Sequence, residues 1–282
     1  MGPLFVLGSG AAFGAMGIFG KLAYDQGATV GTLLSVRFAL AAALLWALEA
    51  ARRERGSRPG KADVLAALAL GAVCYALQAG LFFAALERID ASLAALLIYT
   101  APAIVAVAAA VLGRERLDAR RVAALVLASG GVVLVVGKAG ALDPLGVALA
   151  MGAAIVYSAY ILVSDGVARR LPPRILAALV CTGAALTLGV GAAVTGDFHP
   201  GALSTAGWGW IACLAAVSTV GAIALFFAGL RRVGPTNASI LSTVEPLATV
   251  VLAFLIFGET LGALQLAGGT LVLAAAIERM TA

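Results

Sequence analysis

Charge and histidine are what this chain has least of. Only 12% of its 282 residues are Asp, Glu, Lys or Arg, about half the share of an ordinary soluble domain. One histidine, His199, serves the whole length, which excludes any site built on two or more imidazole ligands and with it most metalloenzyme patterns. The three cysteines, Cys74, Cys181 and Cys213, are odd in number, far apart and set in apolar runs, a pattern of small packing residues and not of a disulfide framework or a metal site. There is no Walker sequence, and the glycine-rich GSGAAFG at Gly8 to Gly14 has neither a preceding strand nor an acidic ribose partner, so a nucleotide site is excluded. No cofactor and no metal are expected.

Apolar side chains make up 62% of the sequence, and residues 64–86, 91–113, 144–164, 175–196, 198–230 and 260–277 contain no charged side chain at all. Each run approaches or exceeds the ~20 residues that cross a bilayer as a helix. Ten spans are expected, at about 3–24, 30–51, 62–86, 90–112, 118–137, 143–165, 173–195, 206–230, 236–257 and 261–279. The runs are continuously apolar, whereas barrel strands alternate between lipid and lumen. An all-α membrane protein follows, with the lipid bilayer as its first partner. The first span begins almost at Met1 without a basic leader, so it is expected to be retained.

Lys and Arg concentrate on the cytoplasmic side of a membrane. Fifteen of the 19 fall in the even-numbered connections and the C-terminus, and only Lys21, Arg88 and Lys138 on the other side. Both termini are therefore expected to be cytoplasmic, in a bacterial-type inner membrane. The basic loops are explained by topology, and no nucleic-acid partner is expected.

Shifting the chain by 144 residues lays Leu81 to Pro102 on Leu225 to Pro246 without a gap. Over residues 81–123, 15 of 43 pairs are identical, among them Phe82/Phe226, Arg88/Arg232, Pro102/Pro246 and Glu115/Glu259. Phe, Arg, Pro and Glu are scarce enough here that duplication explains the match. Two repeats are expected, residues 1–138 and 139–282. Five spans in each make them inverted, the arrangement of secondary transporters whose two packings open to alternate sides of a midplane site. One chain holds both halves, so a monomer is sufficient.

The ten-span repeat, TAP at Thr100 to Pro102 followed by GRERL at Gly113 to Leu117, and VEP at Val244 to Pro246 followed by GETL at Gly258 to Leu261 resemble the EamA-type drug/metabolite transporters. The resemblance covers the full chain and within the family is strongest to bacterial aromatic amino-acid exporters. It implies export of small metabolites, often amino acids, from a cavity lined by helices 1, 3, 4, 6, 8 and 9.

Polar residues inside a bilayer are either packing devices or pathway residues. Tyr75 and Gln78 share one face of the third span, Tyr157 and Tyr160 one face of the sixth. Tyr99 precedes Pro102 in the fourth span, and Phe13 lies in the first. Such walls suit a planar apolar ligand with one polar end, a small-molecule substrate. Interhelical hydrogen bonding is the alternative reading of the same residues. Ser242 and Thr243 join the candidate substrate site from the ninth span. Pro102 and Pro246 remove a backbone donor and are candidate hinges or static kinks. Glu245 is read either as a proton-linked or substrate-amine site, or as a structural carboxylate paired with Arg37 or bonded to hydroxyls. Arg37 is read as an interhelical anchor or a substrate clamp. A membrane-embedded enzyme would want paired carboxylates or a nucleophile with its base, and a channel a continuous polar pore; neither pattern is present. The leading expectation is a facilitated uniporter exporting aromatic or other apolar amino acids, with proton coupling through Glu245 as the alternative.

Overall fold

The computed structural model describes residues 1–51, 59–111, 143–168, 170–226, 228–229, 232, 241, 244–263, 266–271 and 274. Every regular element among them is helical: α1 (Gly2–Tyr24), α2 (Val30–Ala50), α3 (Lys61–Leu86), α4 (Ala91–Ile98), α5 (Ala101–Val111), α6 (Pro144–Ala168), α7 (Pro173–Thr195), α8 (Thr205–Phe226) and α9 (Val244–Phe257). Six of these, α1, α2, α3, α6, α7 and α8, are long and apolar enough to cross a membrane. This is what lipid demands, since a helix satisfies its own backbone groups where water cannot. Leu186, Val190 and Val194 line one outward stripe of α7, a surface suited to acyl chains. The expected fifth span, 118–137, and the candidate residues Ser242 and Thr243 lie outside the described residues.

The expected fourth span is not continuous. It breaks at Tyr99 and Thr100 between α4 and α5, because the proline at position 102 has no N–H to offer the carbonyl of Ile98. At the break the Thr100 hydroxyl donates to the neighbouring Leu97 carbonyl, 2.8 Å away, which also accepts from the Thr100 N–H at 3.2 Å. A second break, at Ala15, divides α1. There the Thr249 hydroxyl of α9 donates to the freed Gly14 carbonyl at 2.9 Å, and α9 lies so close that a Cβ on Gly14 would stand 2.6 Å from the Glu245 carbonyl oxygen. Gly14 thus marks a close helix crossing. Glycines also set the α3–α7 crossing, where Gly71 meets the Val180 backbone and Gly183 meets that of Leu68.

Two helices contain π-helical segments, Leu70–Tyr75 in α3 and Ala216–Gly221 in α8. The segments lie near the middles of their helices and overlap under the 144-residue shift. A π insertion turns the following side chains relative to the preceding turns and is frequent at functional sites.

The helix ends are tied across the bundle. Asp197 closes the gap between α7 and α2, accepting from Gly31 N at 2.7 Å through its carboxylate and from the Thr29 hydroxyl at 2.8 Å through its carbonyl. The opposite end carries ion pairs of Arg170 with Asp63 at 2.6 Å and Arg174 with Glu49 at 3.7 Å.

Candidate functional site

The candidate residues of α3 and α6 meet. The Tyr75 ring, which ends the π segment, lies 5.6 Å from that of Tyr160, and Tyr157 stacks on Tyr160 at 6.3 Å with only 12° between the planes. On its other side Tyr75 makes an edge contact with Phe38 of α2 at 5.4 Å. A run of rings therefore crosses from α6 through α3 to α2. Gln78, one turn beyond Tyr75, is buried, and its amide has no hydrogen bond among the described residues. Buried amides are normally bonded, so this one keeps its full capacity for a ligand. Phe13 is half-buried in α1 and belongs to no ring pair among the described residues.

Tyr99 and Glu245 also come together. At the α4–α5 break the Tyr99 hydroxyl donates to a Glu245 carboxylate oxygen at 3.0 Å. The helix interruption places Tyr99 at the bend, and the α1–α9 crossing fixes Glu245 at the first turn of α9. Pro246, immediately beside it, is buried. The electrostatic neighbours of Tyr157 include both Glu245 and Tyr75, so the carboxylate borders the same array.

Arg37 does not pair with Glu245. It is 1% exposed, and its Nε donates to Thr219 Oγ1 at 3.2 Å while one terminal nitrogen faces Met16 Sδ at 3.4 Å. Its guanidinium carbon lies over the rings of Phe38 at 4.8 Å and Phe83 at 5.1 Å. Sequence reading singles out Arg37 but misses Met16, Phe38 and Phe83, whose apolar identities carry no signal apart from ordinary packing. Thr219 is traceable, since the 144-residue shift makes it the counterpart of Tyr75.

A cavity of about 600 Å³ opens at one end of the bundle, lined by Lys21, Tyr24, Asp25, Glu87, Asp90 and Glu259 among others. None of the sequence-expected substrate residues lines it. Glu259 is its organising group. One oxygen accepts from Lys21 Nζ at 3.1 Å and Ala91 N at 3.2 Å, and the other from Ser92 N at 3.2 Å and Ser92 Oγ at 2.9 Å. It thus caps α4 from the connection that follows α9, placing negative charge at the positive end of the helix dipole. Burial pushes its carboxyl up, but the Ser92 bonds and the Lys21 charge outweigh this and hold it below the usual carboxylate range. Across the mouth Glu87 is pushed up, by burial and then by repulsion from Asp197. The signal for this cluster is the GETL motif, whose glutamate is exposed by sequence position yet has a side chain only 8% exposed.

A model of the EamA-like transporter family matches residues 1–137 and again 144–277. The chain belongs to the EamA-like transporter family. An uncharacterized transporter, YcbK, of Bacillus subtilis (strain 168) is 26% identical over 278 residues, covering 95% of this chain and 88% of that protein. An uncharacterized transporter of Archaeoglobus fulgidus is 28% identical over 194 residues, 68% of each chain. One crystal structure matches with a TM-score of 0.67 at 18% identity, over 98% of this chain and 95% of that one, a likeness of fold. As an EamA-like protein with several apolar helices, the chain is a multi-pass membrane transporter by kinship.

Proposed function

We propose that this EamA-like protein exports small metabolites, in the first place aromatic or other apolar amino acids, as a facilitated uniporter with both termini in the cytoplasm of a bacterial-type inner membrane. The observation that carries the reading is the ring array of Tyr75, Tyr157 and Tyr160 bordered by the Tyr99–Glu245 pair. Rings accept the face of a planar side chain, while Gln78 and the carboxylate offer partners to its polar head. Glu245 accepts a substrate ammonium in this reading.

Alternating access between two inverted five-helix repeats, ten spans in all, is the mechanism proposed. It is supported by the family model's two successive matches and by the overlap of the two π segments under the repeat shift. Pro102 and the break beside it serve as a hinge in the first half, with Pro246 as its counterpart. The Glu259 cluster closes one mouth of the pathway and has to part when that mouth opens.

Proton coupling is the second reading, favoured by the burial of Glu245 and its single side-chain hydrogen bond among the described residues. Flux of labelled phenylalanine, tryptophan and threonine from liposomes, with and without a proton gradient, separates the two. Aromatic flux should be saturable and should fall at least tenfold in Tyr99→Ala, roughly the loss of one charge-assisted hydrogen bond and a stacking wall. Flux that ignores the gradient supports uniport, and Glu245→Gln should then weaken it through the lost ammonium contact without making it gradient-dependent. Flux abolished by Glu245→Gln and driven by the gradient supports coupling, and no flux of any amino acid removes the substrate assignment.

A further inference from the structure

Arg37 is a buried cation whose partners are far weaker than a cation inside a membrane ordinarily takes. Among the described residues no carboxylate lies within 4.0 Å of it. Its polar contacts are one hydroxyl and one thioether, and a thioether is a poor acceptor. The Thr219 hydroxyl commits its own proton to the Leu214 carbonyl at 3.1 Å, so it can only accept from Arg37. Phe38 and Phe83 provide ring contacts, which attract the cation but occupy none of its N–H groups. A guanidinium presents five donors in a planar fork; at Arg37 one is bonded to oxygen. Beside Thr219, the fully buried Ser218 hydroxyl has no partner among the described residues.

The second observation is where this cation sits relative to the buried carboxylate. Tyr75 has both Arg37 and Glu245 among its electrostatic neighbours, yet the two charges do not pair with one another. Opposite charges that both act on one ring of the array without pairing are arranged for a ligand that carries both. Arginine is the side chain suited to a carboxylate, because its fork matches the two oxygens.

We propose that Arg37 is the carboxylate-recognising residue of the transport site, held by Thr219 at Nε and by Met16, Phe38 and Phe83 around the guanidinium, with the N–H groups that neither Thr219 nor Met16 takes left for the substrate. The assignment rests on the reading of the ring array as that site, and it narrows the substrate to solutes bearing a carboxylate. Thr219 is a positioning residue, and the π segment of α8 delivers it.

The experiment compares acids with their amides. The purified protein in liposomes is assayed for flux of phenylalanine against phenylalaninamide, and of threonine and leucine against their amides, for wild type, Arg37→Gln, Arg37→Lys and Thr219→Val. Thermal stability of each is measured alongside. Wild type should favour the acid at least tenfold. Arg37→Gln should bring that ratio to about one by losing acid flux while amide flux holds, Arg37→Lys should keep part of it, and Thr219→Val should lower it several-fold. If Arg37 is an interhelical anchor, its variants lower acid and amide flux alike with the ratio intact, and the proposal falls. Should Arg37→Gln fail to fold, Arg37→Lys and Thr219→Val decide on the same ratio. A wild type that moves phenylalaninamide as fast as phenylalanine overturns the assignment and leaves aromatic export standing. A wild type that moves threonine or leucine but no aromatic solute overturns aromatic export, and the Arg37 assignment then stands or falls on the surviving pair. Flux of no carboxylate overturns both.

Discussion

At the scale of single residues, what decides behaviour in this protein is which polar groups the lipid-embedded interior leaves incompletely bonded. Among the described residues Arg37, Gln78 and Ser218 are buried with capacity to spare, while Thr249 is spent on the Gly14 carbonyl that the Ala15 break releases and Thr100 on the Leu97 carbonyl beside the α4–α5 break. In the proposed site the first group serves the ligand, and the second bonds backbone. Gly14 belongs with the second group. Any Cβ there meets the α9 backbone, which cannot swing aside as a side chain would. Gly14→Ala should therefore destabilise the protein by roughly 1–3 kcal/mol, the usual cost of overpacking, seen as a lowered melting temperature in detergent. Gly80, where an added methyl would have nothing within 4 Å, is the control and should change little as Gly80→Ala.

Elements show what the sequence made legible and what it did not. Apolar runs located α1, α2, α3, α6, α7 and α8 within a few residues, since a continuous charge-free stretch of that length has no other stable state in lipid. They did not reveal the breaks at Ala15 and Tyr99 or the two π segments. Hydropathy is blind to backbone bonding, and Ala15 has no local signal; only the proline at 102 announced its own interruption. The site divides the same way. Tyr75, Gln78, Tyr157, Tyr160 and Tyr99 stood out as polar or aromatic in apolar helices, whereas the Phe38 and Phe83 contacts with Arg37 depend on how helices cross. If the α4–α5 break is a hinge, Pro102→Ala should let the helix close its missing hydrogen bond. The expected result is a thermal stability equal to or above wild type with a several-fold slower flux, measured on the same liposomes. A static kink would leave the flux unchanged.

For the whole molecule, the two ends differ in charge. Asp25, Glu87, Asp90, Asp197 and Glu259 gather at one mouth with Lys21, and two of these acids titrate in opposite senses. Glu259 is held below its ordinary value, so it contributes stability above the usual carboxylate range, around pH 4.3, and that contribution is lost as pH falls through its folded-state value. Glu87 is raised, so its effect favours the fold in acid and is lost as pH climbs from the ordinary value through the raised one. Glu259→Gln should lower the melting temperature by a few degrees at neutral pH and flatten its decline in acid. Glu87→Gln should raise it slightly at neutral pH, since the repulsion from Asp197 goes with the charge.

The crossing at Gly14 carries a further consequence for how that mouth comes apart. Backbone pressed on backbone cannot slide, so α9 is locked to the half of α1 before the Ala15 break, and Lys21, beyond the break, is tied to the end of α9 by its ion pair with Glu259. In the alternating-access cycle proposed above, the ion pair between them should ride intact, and the bonds expected to break are those from Glu259 to the amides of Ala91 and Ser92 and to the Ser92 hydroxyl. Tethering should tell passenger from lock. A disulfide between cysteines placed at positions 21 and 259 should leave liposome flux near that of the reduced protein, whereas one between positions 92 and 259 should stop it until reductant is added.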